Sequence, residues 1–423
     1  MTDFVPSNDA SVRRGLFLVL DGLGDLPSPT FGGRTPLEAA ATPCLDRLAA
    51  AGRYGLVDPI AEGVIPNTHT GVGMLLGLYP EQAPQLARGP VEAAGAGCKL
   101  QPGDIAFRAN LATLERRGDR YYVVDRRAGR ITGDAAELAA DLRDIDLGDG
   151  VSASFVPTDQ HRGALVFSGD GLDAAVSDTD PGDRRAPDWL RPCTALEIGS
   201  ERTAAKVNTF IEATYERLRA HPVNTRRAEQ GKLPATAVIT RGAGAWSAFD
   251  PLLRDRGCGA AVVAGCNTVL GLARMFGMEA VTQPGFTASV DTDVEGKLEA
   301  ARAALDEHAL VYVHIKAPDL FSHDFQPAGK KAFIERVDRA LGVLEGSDAL
   351  FALAADHSTD SNTGAHTADP VPVLLHDPRR EHAGAPVSFG ESACREGNLP
   401  RQTGHAFLQR VLDVLQPASR SAR

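Results

Sequence analysis

The chain has 423 residues, 43% of them hydrophobic and 23% charged, with a formal net charge of −11. That length suits a large layered domain or two domains, and the composition leaves no long segment polar enough for disorder. The negative balance argues against a nucleic-acid surface, which needs clustered Lys and Arg, but allows a small anion gathered by local cations or metals.

The opening "MTDFVPSNDASVRRG" is polar and no later stretch approaches the length of a membrane span, so a cytoplasmic protein without a membrane partner is expected. The cysteines, Cys44, Cys98, Cys193, Cys258, Cys266 and Cys394, include no CxxC pair and point away from a disulfide framework or a thiolate zinc site. "LFLVLDGLGD" (16–25) is an apolar run closing on Asp and Gly, the pattern of a strand buried on both faces that opens into a loop. "TPCLDRLAAAG" follows as a helix with Thr42 as N-cap, Pro43 at the first position and Gly52 as stop. "VIPNTHTG" (64–71) reads as another helix start, capped by Asn67 or Thr68, whose free N–H groups and positive dipole end favour an anion.

Between 106 and 233 the texture changes to "YYVVDRRAGRITG", "GALVFSGDGL" and the Arg- and Asp-rich "SDTDPGDRRAPDWLRP". This segment is expected to be an inserted domain, with 1–105 and 234–423 forming one core around it. Beyond it come "LVYVHI" (310–315), a helix at about 328–345 striped by Phe333, Val337, Leu341 and Leu344, "ALFALAA" (349–355) and "VPVLL" (371–375). Strand, helix, strand implies parallel pairing in a doubly wound α/β sheet, whose functional groups gather at the carboxyl ends of its strands. The tail "PASRSAR" is expected to fray.

Those carboxyl ends carry acids and imidazoles. "APDLFSHD" sets Asp319 and His323 four apart, "AADHSTD" sets Asp356 beside His357, and "GAHTADPVPVLL" adds His366; with Asp21 they make six candidate ligands on one sheet edge. Taken singly, an aspartate after a strand is a turn or cap residue, and His161, His221, His314 and His405 read as ordinary structural histidines. As a set, mixed His and Asp ligation suits manganese, zinc or iron better than calcium. Two such metals roughly 4 Å apart suit phosphoryl transfer and need a side-chain alkoxide beside them. Thr68 supplies one, with Thr70 as a second candidate.

Taken together, "LVLDGLGDLPSPTFGGRTPLEAAATPCLDRLA", "ARGPVEAAGAG", "DIAFRANLATL", "VVDRRAGRITG", "HRGALVF", "SDTDP", "HPVN", "HIKAPDLFSHD" and "AADHSTD…AHTADPVPVLL" resemble the archaeal-type cofactor-independent phosphoglycerate mutases of the alkaline phosphatase superfamily. The resemblance runs from about 15 to 415. It implies an alkaline-phosphatase-like doubly wound core with an inserted α+β cap domain, and two divalent metal ions, manganese first, with zinc or magnesium as alternatives. By the same resemblance Asp21, Thr68, Asp356 and His357 would bind one metal and Asp319, His323 and His366 the other, with Thr68 as nucleophile. Arg126, Arg127, Arg130, His161, Arg162 and Arg241 would hold a small phosphorylated metabolite, arginine forks gripping its oxygens in pairs.

Where such mutases typically read "PGSDTAH", this chain reads "PNTHTGV", so serine becomes Thr68, aspartate His69 and histidine Val72. The leading expectation is a glycolytic isomerase interconverting 2- and 3-phosphoglycerate through phospho-Thr68. The altered loop leaves open a phosphatase or phosphotransferase for another phosphorylated or phosphonate metabolite, and a silent ligand-binding relative. The loop holds no cysteine for a sulfatase, and the chain has no HExxH for a zinc protease.

Overall fold

The computed structural model describes residues 13–182, 188–380, 385 and 387–416. The tail 417–423 and the polar opening 1–12 lie outside the described residues. The chain divides into two compact units, Met1–Pro84 with Phe249–Arg423, and Gln85–Ala248.

The first unit is built on an eight-stranded sheet in the order Glu279–Val281, Ala260–Val263, Leu310–Ile315, Gly15–Leu20, Leu350–Ala354, Val371–His376, Arg53–Asp58, Gln402–Thr403. The Gly15 strand pairs in parallel with the Leu310 strand on one side and the Leu350 strand on the other. All six of its residues are buried, which is why its sequence is a continuous apolar run. Side chains alternate along a strand. Phe17 accordingly packs on Phe407 of helix Gly404–Leu415, with ring centroids 5.8 Å apart, while Leu16 shares a cavity lining with Cys44 and Leu48 of helix Pro43–Ala50. Helices thus cover both faces of the sheet.

The Val371 strand breaks the parallel pairing, running antiparallel to both its neighbours, Leu350–Ala354 and Arg53–Asp58. That direction has a simple reason. The connection from the Leu350 strand is taken up by the short hairpin Ser358–Asp360 with Ala365–Thr367 and holds no helix, the usual crossover that returns a chain in parallel.

The second unit is α+β. Its central strand, Ile105–Arg117, pairs antiparallel with Arg162–Ser168, Ala237–Ala245 and Arg120–Asp125, changing register at Thr113 and Leu114. Phe167 on this sheet meets Phe107 at 5.1 Å and Phe210 of helix Glu201–Leu218 at 5.7 Å, so rings seal the helix onto the sheet. The unit reaches beyond 106–233 at both ends, because helix Arg88–Gly95 packs on the Ile105 and Ala237 strands. No helix among the described residues is long and apolar enough to cross a membrane.

Candidate active site

The carboxyl ends of the three central parallel strands deliver the acids. Asp21 directly follows the Gly15 strand and Asp356 and His357 follow the Leu350 strand. Asp319 and His323 stand one turn apart on helix Ala317–His323, which begins just after the Leu310 strand. His366 lies on the hairpin, opposite Thr359. The six converge as two groups, Asp319 with His323 and His366, and Asp21 with Asp356 and His357; one ligand atom from each residue lies within 4.8 Å of the others in its group. The His357 and His366 rings stack 3.7 Å apart, which sets the groups side by side.

Each imidazole turns one nitrogen outward and the other inward. Nδ1 of His323 lies 2.7 Å from Gly364 O and Nδ1 of His366 lies 3.0 Å from Pro66 O. Carbonyls only accept, so both nitrogens are assigned as donors, and their Nε2 lone pairs face each other at 3.3 Å. His357 Nε2 likewise points inward, 3.3 Å from Asp21 Oδ1 and 3.2 Å from Asp356 Oδ2. This is how ligating histidines are held, with the outer N–H anchored and the inner lone pair free for a cation.

The charge balance tells the same story. Three carboxylates share one ammonium, Lys316, whose Nζ is 2.7 Å from Asp21 Oδ1 and 2.8 Å from Asp319 Oδ2. Burial pushes the Asp21 and Asp319 carboxyls up, but the charge of Lys316, helped at Asp21 by the His314 hydrogen bond, holds both below the usual range. Burial also opposes the Lys316 charge, yet Asp21, Asp319 and Asp356 keep its ammonium well above ordinary. Asp356 is the carboxyl left over: burial, then the charge of Asp21, raise it well above the usual value. Its Oδ1 accepts from the Gly22 amide at 3.2 Å, while its buried Oδ2 accepts no hydrogen bond. An orphaned buried oxygen, surplus negative charge and inward lone pairs fit a divalent cation at each group.

Thr68 is the first residue of helix Thr68–Leu75, and its Oγ1 accepts from Lys316 Nζ at 3.0 Å and lies 3.5 Å from His357 Nε2. The hydroxyl of Thr70 turns the other way, donating to Asn67 O at 3.0 Å and accepting from Asn67 N at 3.2 Å. The first threonine faces the ligand groups and the second closes the helix start. Gly71 lets the helix come this close, since a Cβ there would sit 2.1 Å from Asp356 O. Gly71→Ala is therefore expected to push Thr68 away from the Asp356 strand end; steady-state assays should show kcat down roughly 100-fold, the scale of a displacement of about 1 Å.

Two neighbours carry no signal that the spacing of acids and histidines picks out. Lys316 ends an apolar strand as an ordinary solvent-facing lysine would. His314, inside that strand, holds Asp21 Oδ2 through Nε2 at 3.0 Å. His405 and His221 keep local roles, on Leu78 O at 2.9 Å and on the Val223 amide at 3.2 Å.

In the second unit, Arg108 sits opposite Arg241 on neighbouring strands, and Asn110, two residues on, sits opposite Arg162. Burial and the charges of Arg162, Arg127, Arg126 and Arg108 push buried His161 down to about 3, so it is a neutral ring among arginines. Burial, then Arg88, brings Arg108 down to about 9. The structure thus gathers Arg126, Arg127, His161, Arg162 and Arg241, and adds Arg108, which the sequence reading lacks. Arg126 is committed to buried Asp180 by Nε at 2.7 Å and Nη2 at 2.6 Å. Arg130 is exposed, at a φ of 56°.

Residues 49–224 match the family described as 2,3-bisphosphoglycerate-independent phosphoglycerate mutase. The enzyme of that name from Methanopyrus kandleri is 42% identical over 413 residues, 95% of this chain and 96% of that one. Among solved structures, the cofactor-independent phosphoglycerate mutase of Thermoplasma acidophilum aligns with a TM-score of 0.69 and 30% identity, over 95% of this chain and all of that one. A Pyrococcus horikoshii protein aligns with a TM-score of 0.81 and 28% identity, over 97% of this chain and all of its own.

Proposed function

The chain belongs to the 2,3-bisphosphoglycerate-independent phosphoglycerate mutase family, and from that membership we propose that it interconverts 3- and 2-phosphoglycerate through a phosphoenzyme on Thr68. It is a phosphomutase. The observation that supports Thr68 as nucleophile is the 3.0 Å hydrogen bond from Lys316 to its Oγ1, beside both ligand groups.

In this reading Asp21, Asp356, His357 and Thr68 hold one divalent ion, and Asp319, His323 and His366 hold a second, with manganese favoured by the mixed oxygen and imidazole donors. The chemistry such a pair supplies is a lowered pKa for an oxygen nucleophile and neutralised charge on the phosphoryl oxygens. The chain's own groups do the rest. An ammonium donating to Thr68 Oγ1 favours its alkoxide over its alcohol, and the positive dipole end at the start of helix Thr68–Leu75 favours an anion. Oγ1 bonds to phosphorus as the ester bond of the substrate breaks, and the glycerate oxygen takes up a proton. The neighbouring hydroxyl of the retained glycerate then attacks phosphorus, gives up its proton and releases Thr68.

We assign the second unit as the substrate domain, with Arg108, Arg127, Arg162 and Arg241 recognising carboxylate and phosphate oxygens. Arg126 holds Asp180, and Arg130 is exposed. Full-length protein loaded with manganese and given 3-phosphoglycerate should show the 2-phosphoglycerate resonance by phosphorus NMR. Inorganic phosphate without isomer would instead mark a phosphatase, and inertness of a folded, metal-loaded sample would end the glycerate assignment.

A further inference from the structure

Thr359 lies fully buried between the two ligand groups and belongs to neither. Its Oγ1 is 2.8 Å from Asp319 Oδ1, in one group, and 3.0 Å from His357 Nδ1, in the other. A hydroxyl has one proton, and an ionised carboxylate can only accept, so that proton belongs to the Asp319 bond. The Thr359 oxygen must then accept from His357, which puts the ring proton on Nδ1 and leaves Nε2 as a lone pair aimed at Asp21 and Asp356.

We propose that Thr359 is a positioning residue that couples the two metal groups, fixing the His357 tautomer in one and an Asp319 oxygen in the other through a single hydroxyl. The inference rests on reading both groups as metal ligands. The surroundings are built for it. His357 and Thr359 are two apart on extended chain, so their side chains share a face. Gly22, at a φ of 63°, leaves the room, because a Cβ there would meet Thr359 Oγ1 at 2.7 Å. The backbone is pinned on both sides: the Thr359 amide donates to Gly24 O at 2.9 Å, and Lys330, buried and paired with Asp25 at 2.7 Å, donates to Thr359 O at 3.2 Å. Across the hairpin Thr359 faces His366, a member of the second group. Ordering either group therefore orders a ligand of the other.

The test uses the full chain stripped by a chelator and titrated with Mn2+ by calorimetry, with bound metal counted after dialysis. Wild type should take up two ions. Thr359→Val keeps the shape without the hydroxyl and should weaken both sites by about 10- to 100-fold, the usual effect of losing a partner behind a ligand. Thr359→Ser should stay within about threefold of wild type. Two sites of wild-type affinity in Thr359→Val, or a serine variant as weak as the valine one, would overturn the coupling while leaving the metal reading intact. Failure of wild type to bind two ions would instead sink the metal reading. A measurement on wild type covers a valine variant that does not fold: nitrogen-15 NMR of the metal-free chain should show His357 protonated at Nδ1, its signal identified by loss in His357→Asn. A proton on Nε2 would refute the proposal.

Discussion

Thr68→Ala is expected to lower mutase turnover by about 10⁴-fold or more, the scale on which removing a nucleophile acts in enzymes with covalent intermediates. The fold should tolerate it. Thr68 is only partly buried, and Lys316 keeps Asp21 at 2.7 Å and Asp319 at 2.8 Å without it. Melting temperature should stay within a few degrees, and most bound metal should remain by elemental analysis. Thr70→Ala is the matched control. Its hydroxyl serves only the helix start, so the expected loss is about 1 kcal/mol of stability with kcat within a few-fold of wild type. Near-normal turnover in Thr68→Ala would refute the phosphothreonine route. Thr68→Ser separates chemistry from fit: a faster mutase would show that the threonine methyl, and not the hydroxyl, tunes which substrate is handled.

The acids of the candidate ligand groups were legible in the sequence because each follows the end of an apolar run. Asp21 closes the run 16–20, Asp319 follows 310–315 and Asp356 follows 349–355, so burial periodicity alone put them on one edge. Thr68 was legible as a helix start and, by the resemblance, as the nucleophile, with Thr70 as the second candidate; what the sequence could not give is that the two hydroxyls point in different directions. Lys316 was hidden because a lysine after a strand is ordinarily a solvated stop, and only coordinates show its side chain 16% exposed between two aspartates. Thr359 was hidden inside a motif already explained by its neighbours. The direction of the Val371 strand could not be read, since nothing in its own composition reports whether a hairpin or a helix precedes it. Arg108 and Asp180 were missed for another reason: one is a polar residue inside a strand, the other an acid in a polar segment, and both gain meaning only from partners across the sheet. Arg126, Arg127 and Arg130 look alike in sequence, yet the structure ties the first to Asp180, sets the second beside His161 and leaves the third exposed.

Asp356→Asn should divide function from stability. The amide has nearly the shape of the carboxyl, can still accept from the Gly22 amide at 3.2 Å, and removes one of three buried carboxyls facing the single ammonium of Lys316. With metal removed, wild type buries this carboxyl, whose ionisation burial and the charge of Asp21 oppose, with an oxygen that has no hydrogen-bonding partner, an arrangement that costs on the order of 1–3 kcal/mol. The chelated variant should therefore melt higher than chelated wild type, by roughly 2–4 °C for each kcal/mol relieved in a domain of this size. Loaded with metal, the order should reverse. The group of Asp21, Asp356 and His357 loses a charged ligand, so bound manganese should fall from two ions toward one, and kcat should fall by about 10²-fold or more. Differential scanning calorimetry with and without chelator, beside elemental analysis and the phosphoglycerate assay, reads all three. A chelated variant that melts lower than wild type would mean that the Asp356 charge is already compensated within the chain, and that the crowding of carboxylates is not what prepares this site for a cation. A variant that keeps two ions and full turnover would remove Asp356 from the ligand set altogether.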